Sequence, residues 1–368
     1  MKRRDFLKTV PALSAGALLS TRAHSEEAAQ AVENPAASLP AVSAAKLPRW
    51  RGFNLMEKFT LRHNSPYQES DFAMMAEWGF DFVRLPTDYR CWTDENDPSQ
   101  FKEEILKDID QAIEFGKQYK IHVNLNLHRG PGYCVNPPKE KLDLWTDEEA
   151  LKQFCFQWKT FAERYKGIPS ERLSFDMLNE PPSIAEETYM RVIRATLETI
   201  RSVDPERLFI VDGLEWGNKP VFAAAGLGIG QSTRGYTPMK VSHYKASWVN
   251  GENWPEPTWP LKDGDETVDR EWLLKHRIQP FMELQKQGSG VHVGEWGCFN
   301  RTPHEVALAW MNDCLSLWKE AGWGWSMWNL RGSFGIVDSG RDDIQYEDYQ
   351  GHKLDRKMLD LLLADLKS

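Results

Sequence analysis

The chain has little cysteine and no CxxC pair: its five cysteines are Cys91, Cys134, Cys155, Cys298 and Cys314. Without that pairing a zinc knuckle is excluded. The odd number leaves at least one thiol unpaired, and mostly free, buried thiols are expected. A basic stripe is also missing. Lys and Arg (45) are outnumbered by Asp and Glu (54), for a net charge of −9 with both signs scattered. That excludes nucleic acid as a partner and favours an uncharged substrate. No apolar run approaches the roughly 20 residues of a membrane span. The nine histidines do not fall at metal-ligand spacing, and Arg51–Met56 lacks a His-x-His pair, so no metal or other cofactor is expected. A glycine-rich turn after that first strand is absent too. Met56-Glu-Lys-Phe59 stands there instead, which argues against an open doubly wound sheet.

Tryptophan, by contrast, is abundant, at 16 of 368 residues. About half are expected as core filler and half as platforms for flat apolar faces such as sugar rings. The N-terminus carries Lys2-Arg-Arg-Asp-Phe-Leu-Lys8 and then a short apolar run from Val10 to Ser20. Residues 1–26 therefore read as a twin-arginine-type signal peptide, and a periplasmic or extracellular location is expected, with no membrane partner once the signal is removed. Residues 27–47, rich in Ala, Glu, Pro and Ser, read as a disordered linker.

From residue 48 onward strand and helix patterns alternate. Strands are predicted at Arg51–Met56, Phe80–Pro86, Ile121–His128, Leu173–Pro181, Arg207–Asp212, Met239–Tyr244, Val291–Glu295 and Trp323–Asn329. Helices are predicted over Glu69–Trp78, Phe101–Tyr119, Asp147–Tyr165 with Thr146 as cap, Glu186–Val203, Arg270–Lys286, Pro303–Ala321 with Thr302 as cap, and Lys353–Leu366, with a weak one near Pro220–Ala225. Eight strand–helix units in one domain, 48–368, predict a (β/α)8 TIM barrel.

Chemistry in such a barrel sits at the C-terminal strand tips. The predicted tips carry Arg84, His128, Asn179-Glu180, His243-Tyr244, Glu295 and Trp328. Pro181 and Pro182 cannot donate ladder hydrogen bonds, so the fourth strand stops at Glu180. A carboxyl on a buried strand tip is desolvated and holds its proton more tightly, which suits a general acid. Two carboxylates on two tips are the minimum for cleaving a glycosidic bond. Asp176 shares the face of Glu180 by period-two spacing and is expected deeper in the barrel. Glu57 and Asp212 also lie near strand ends. So does Glu215, expected in the cleft or in a structural role. Loop aromatics (Tyr89, Trp92, Tyr133, Trp145, Trp216, Trp248, Trp254 and Trp259) would suit a cleft for a polysaccharide.

The segments Phe82-Val-Arg-Leu-Pro86, Leu125-Asn-Leu-His128, Leu178-Asn-Glu-Pro181, His243-Tyr244, Gly294-Glu-Trp-Gly297 and Met327-Trp-Asn329 occur in an order and spacing that resembles glycoside hydrolase family 5, cellulase-like retaining β-glycosidases. The resemblance covers residues 48–368. It implies Glu180 as acid/base and Glu295 as nucleophile. It implies that Arg84, His243 and Tyr244 hold and charge Glu295, that Asn179 binds the sugar 2-hydroxyl, that His128 binds another hydroxyl, and that Trp328 stacks under the attacked ring. The implied substrate is a β-linked polysaccharide or oligosaccharide. Endo-β-1,4-glucanase is the first expectation, with β-mannanase, exo-β-1,3-glucanase or a non-catalytic carbohydrate-binding barrel as alternatives, and a monomer is expected. One departure stands out. The family commonly has His, any residue, then Tyr at strand six, whereas Tyr244 directly follows His243. Alternation points the two to opposite faces unless the strand bulges.

Overall fold

The computed structural model describes residues 39–94 and 97–367, so the expected signal and most of the linker lie outside it. Eight strands run in parallel: β1 Arg51–Asn54, β2 Phe82–Asp88, β3 His122–Gly130, β4 Leu173–Asp176, β5 Phe209–Asp212, β6 Gly230–Gly235, β7 Val291–Trp296 and β8 Gly324–Met327. Each pairs with its neighbour in sequence, and β8 pairs back onto β1. That closes the (β/α)8 barrel expected from the alternation.

The helices form outside it because each presents one apolar stripe. In α2, Glu103–Tyr119, the residues Leu106, Ile109, Ala112, Ile113 and Phe115 are buried. In α4, Glu186–Arg201, Met190, Ile193, Leu197 and Ile200 do the same. Each such Leu, Ile, Met or Phe side chain contributes on the order of 1.5–3 kcal/mol on burial. α1 spans Glu69–Trp78 and stops at Gly79, whose φ of 89° is open to glycine at no steric cost. α3, Glu148–Arg164, is capped by Asp147, which accepts from the Glu149 N–H, and not by Thr146. The helix expected from Arg270 runs without a break as a turn at Arg270–Leu273, a π turn at Leu274–Ile278 and α5 (Gln279–Gln285), and α6 (His304–Ala321) and α7 (Arg356–Leu366) follow. Thr302 does not cap α6: its hydroxyl is buried and donates to the Val241 carbonyl. Between β5 and β6 the predicted weak helix is reduced to a single tight turn at Phe222–Ala224.

The one misplaced strand is the sixth. Met239–Ser242 is a helical turn, and His243 and Tyr244 follow it rather than ending a strand. A four-residue alternation reads as period two or as one helical turn equally well. The true β6 is Gly-Gln-Ser-Thr-Arg-Gly, without one aliphatic residue, so it carried no hydrophobic signal.

Even-numbered side chains meet inside the barrel. At its floor Trp50, Phe82, His122 and His292 stack on one another, with Trp50 and His122 ring centroids 3.8 Å apart. Leu47, placed in the linker by sequence, packs there too, and the Gly290 N–H bonds to the Ala44 carbonyl at 2.7 Å. Above the floor the interior turns polar, with Asn54, Arg84, Asp176, Ser232 and Ser326 all buried. Of the 16 tryptophans, eight are buried, so the core takes the expected half. All five cysteines are free.

Candidate active site

The polar centre rises to the strand tips as a set of paired charges. Arg84 on β2 is fully buried and uses its whole guanidinium. Nε donates to Asp176 Oδ2 at 2.7 Å, Nη1 to Asn54 Oδ1 at 3.0 Å and to Glu295 Oε1 at 2.7 Å, and Nη2 to Asn179 Oδ1 at 2.9 Å. Asp176 thus lies deeper than Glu180, as its alternation required, and anchors the arginine that reaches Glu295.

Glu295 faces inward because β7 is irregular. Strict alternation after His292 would turn Gly294 in and Glu295 out. The register shifts between Val293 and Glu295, and this bulge re-aims the carboxylate. Glycine at 294 leaves room for this packing: a Cβ there would sit 2.3 Å from Ser232 Oγ and 2.9 Å from Arg234 Nη1, displacing both. The second Glu295 oxygen accepts from the Tyr236 hydroxyl at 3.2 Å.

Glu180 follows β4 with φ at +50°, in the left-handed region that costs a non-glycine residue about 1–2 kcal/mol. Its neighbours hold it there. Its N–H donates to Asp212 Oδ2 at 2.8 Å, and its carbonyl accepts from the Tyr133 hydroxyl at 2.6 Å. Its side chain is 17% exposed against 4% for that of Glu295, so Glu180 has the more open position. Burial, and after it the Glu295 carboxylate, push its carboxyl up to about 8, against the opposing pull of Arg234.

Arg234, on β6, touches both glutamates: its Nε is 3.2 Å from Glu180 Oε1, and its Nη2 is 3.4 Å from Glu295 Oε1. Nη2 also donates to Asn179 Oδ1 at 2.8 Å, and Asp212 binds the guanidinium from its other side. Asn179 Oδ1 therefore accepts from two arginines, while its buried Nδ2 has no protein partner. A donor left over at this position is open to a ligand hydroxyl.

His128 is buried, and that burial drives its pKa well down, so the ring is neutral. Nε2 accepts from Asn136 Nδ2 at 3.0 Å, which leaves the proton on Nδ1, and Nδ1 has no protein partner. Its ring lies 5.7 Å from that of half-buried Trp328, and Phe59 braces both from the side.

His243 and Tyr244 take other places than expected. His243 does not reach Glu295. Its Nδ1 bonds the Ser242 hydroxyl at 2.8 Å, and its ring packs against Tyr236, with centroids 5.0 Å apart. Tyr244 is buried beside Lys245 and makes no hydrogen bond to either glutamate. The reason is the strand shift: the phenol over Glu295 comes from Tyr236, just past the true β6. Sequence reasoning also missed Arg234 and the pairing of Asp212. The usable signal was Arg234-Gly235-Tyr236, which keeps the spacing of a cationic residue, any residue, then Tyr. Glu215 is half exposed, with Lys219 as its ion-pair partner. Among the loop aromatics Trp92 is core, whereas Trp216 and Trp248 are exposed.

A closed barrel with two glutamates on opposed strand tips, hydrogen-bond donors left free beside them and an aromatic floor is the site of an enzyme that hydrolyses glycosidic bonds. The chain belongs to glycosyl hydrolase family 5, the cellulase family, whose model matches residues 41–333. A solved structure described as a glycoside hydrolase is 41% identical, with a TM-score of 0.82, and the match covers 86% of this chain and 99% of that one. Endoglucanase C of Acetivibrio thermocellus is 25% identical over 76% of this chain and 88% of its own length. The endoglucanase Cel5A of Thermotoga maritima shares the fold, with a TM-score of 0.70 at 23% identity over 85% of this chain and 96% of its own.

Proposed function

We propose that the chain is a retaining endo-β-1,4-glucanase acting by double displacement, with Glu295 as nucleophile and Glu180 as acid/base. The observation that carries this reading is the contact of one guanidinium, that of Arg234, with both carboxylates. Two carboxyl groups that share one cation are neighbours at the barrel mouth, which supports a retaining pair, whose carboxyl groups lie about 5–5.5 Å apart. Glu295, held by Arg84 and Tyr236, attacks the anomeric carbon. Glu180, with its raised proton affinity, protonates the leaving oxygen and then deprotonates the incoming water. Asn179 Nδ2 and His128 Nδ1, both without protein partners, donate to sugar hydroxyls, and Trp328 stacks under the ring.

The preference for β-1,4-glucan rests on the relatives named endoglucanase. The twin-arginine-type segment at residues 1–26 adds export to this reading. The test is a panel of soluble β-1,4-glucan, β-1,3-glucan and β-mannan with sizing of the products. Short oligomers released early from β-1,4-glucan support the proposal. Single sugars from chain ends, or activity confined to β-mannan or β-1,3-glucan, redirect the substrate. Sugar binding without turnover on all three would make the barrel a binding protein.

A further inference from the structure

Arg234 stands at the strand-six position where the family commonly has histidine. The two residues differ in kind: histidine can lose its charge near neutral pH, whereas arginine cannot. Arg234 is also placed with unusual completeness. Its side chain is buried. Nη1 donates to Asp212 Oδ1 at 3.1 Å and Ser232 Oγ at 3.0 Å, Nη2 to Asn179 Oδ1 at 2.8 Å, and the Nε–Nη2 edge faces Glu180 at 3.2 Å and Glu295 at 3.4 Å. The surrounding backbone makes room for it: at Gly217, φ +79°, a Cβ would lie 2.6 Å from Arg234 Cγ.

We propose that Arg234 is a positioning residue that keeps one permanent cation against both glutamates, so that negative charge passes from Glu295 to Glu180 within its reach, and that Asp212 sets the strength of that cation. The proposal rests on the retaining reading above. In the first step the Glu295 carboxylate forms a bond to the anomeric carbon, the bond from that carbon to the leaving oxygen breaks, and the Glu180 proton moves to that oxygen. Glu295 becomes a neutral ester and Glu180 becomes the carboxylate. In the second step Glu180 takes a proton from water, the water oxygen bonds to the anomeric carbon, and the ester bond to Glu295 breaks. The charge returns to Glu295, and the proton to Glu180.

A bare cation beside Glu180 would strip the proton that the first step needs. Asp212 answers it from β5. Its carboxylate binds the far side of the same guanidinium and accepts the Glu180 N–H. The charged and titratable groups facing Glu180 are Glu295 on β7, Arg234 and Tyr236 at β6, Asp212 on β5, Arg84 on β2, and Tyr133 beyond β3. Asp212 and Glu295 raise its proton affinity, and Arg234 and Arg84 lower it. Once Glu295 is esterified its contribution vanishes, and the proton affinity of Glu180 falls to that left by burial and Asp212 against the two arginines, which moves it toward the base the second step needs.

The test uses 2,4-dinitrophenyl β-cellobioside, whose leaving group needs no proton, in stopped flow with Arg234→Gln, Arg234→Lys and Asp212→Asn. Arg234→Gln is expected to slow hydrolysis of the glycosyl-enzyme by ~100-fold or more, with a burst of dinitrophenol, because a preorganised donor has been removed. Formation of the intermediate should fall less than tenfold. Lysine keeps the charge but meets one carboxylate at a time; it should give a smaller fall, and it carries the same test if the glutamine variant does not fold. On a substrate with a poor leaving group, the alkaline limb of kcat/KM should move up in pH in Arg234→Gln and down in Asp212→Asn. A purely structural role would shift neither limb in opposite directions. Equal losses in both steps, or parallel limb shifts, overturn the proposal. No intermediate and an inverted product from the native enzyme overturn instead the retaining reading on which it rests.

Discussion

The backbone N–H of Glu180 donates to the carboxylate of Asp212 at 2.8 Å, across the tips of β4 and β5. Because Glu180 sits at a positive φ, that bond holds the residue in a conformation it would otherwise leave. The same carboxylate binds Arg234, so the backbone of the acid and the cation beside it share one anchor. Asp212 on β5 therefore bears on both the position of Glu180 and, after burial, Glu295 and Arg234, its proton affinity.

The pH profile follows from that affinity. In its proposed role as acid Glu180 must be protonated, and its carboxyl is raised to about 8. The protonated fraction falls as pH rises through that value. On cello-oligosaccharides kcat/KM is expected to hold across neutral pH and to decline on the alkaline side. Glu180→Ala should lower hydrolysis of such unactivated substrates by about 10²–10⁴-fold. It should abolish the alkaline limb while sparing bond cleavage in dinitrophenyl glycosides.

In the proposed mechanism Glu295→Ala removes the nucleophile and is expected to abolish turnover. Added azide can occupy the space left by the carboxylate and attack from the same side, giving a glycosyl azide of inverted configuration. Normal activity in this variant, followed by reducing-sugar release, would rule out Glu295 as nucleophile.

Tyr236 and Tyr244 should behave differently under the same change. Tyr236→Phe removes the only phenol bonded to Glu295 among the described residues and is expected to lower kcat by roughly 10- to 100-fold, the scale of a hydrogen bond to a charged group at about 1.5–3 kcal/mol. Tyr244→Phe should leave kcat within twofold. A larger loss at Tyr244 would place that residue in the site.

Trp328→Ala takes away the ring stacked near His128. Aromatic stacking of about 0.5–1.5 kcal/mol beyond burial predicts a KM several-fold higher for short oligosaccharides. An unchanged KM would remove Trp328 from the sugar site.

Much of this was legible in the residues themselves. The prolines after Glu180, the inward period of β2 and β3, and the late Gly-Glu-Trp-Gly marked where Arg84, His128, Glu180 and Glu295 would lie. Two features were hidden. β6 borders the polar centre and carries Gln231 and Thr233 where β2 and β3 carry Val83, Leu85, Val123 and Leu125, so hydrophobic patterning passed over it and settled on Met239–Ser242. The bulge in β7 turns Glu295 inward against simple alternation, and no periodicity rule encodes a register shift. Long-range pairing was the other unreadable layer: Asp212 and Arg234 are 22 residues apart, and only closure of the barrel brings them together.

The most direct test of the central assignment is covalent trapping. Native enzyme treated with 2,4-dinitrophenyl 2-deoxy-2-fluoro-β-cellobioside, digested and read by mass spectrometry, should carry one fluoroglycosyl group on the peptide containing Glu295, attached to that residue. A label on Glu180 or elsewhere, or an untrapped enzyme that releases product of inverted configuration, would contradict Glu295 as the nucleophile of a retaining mechanism.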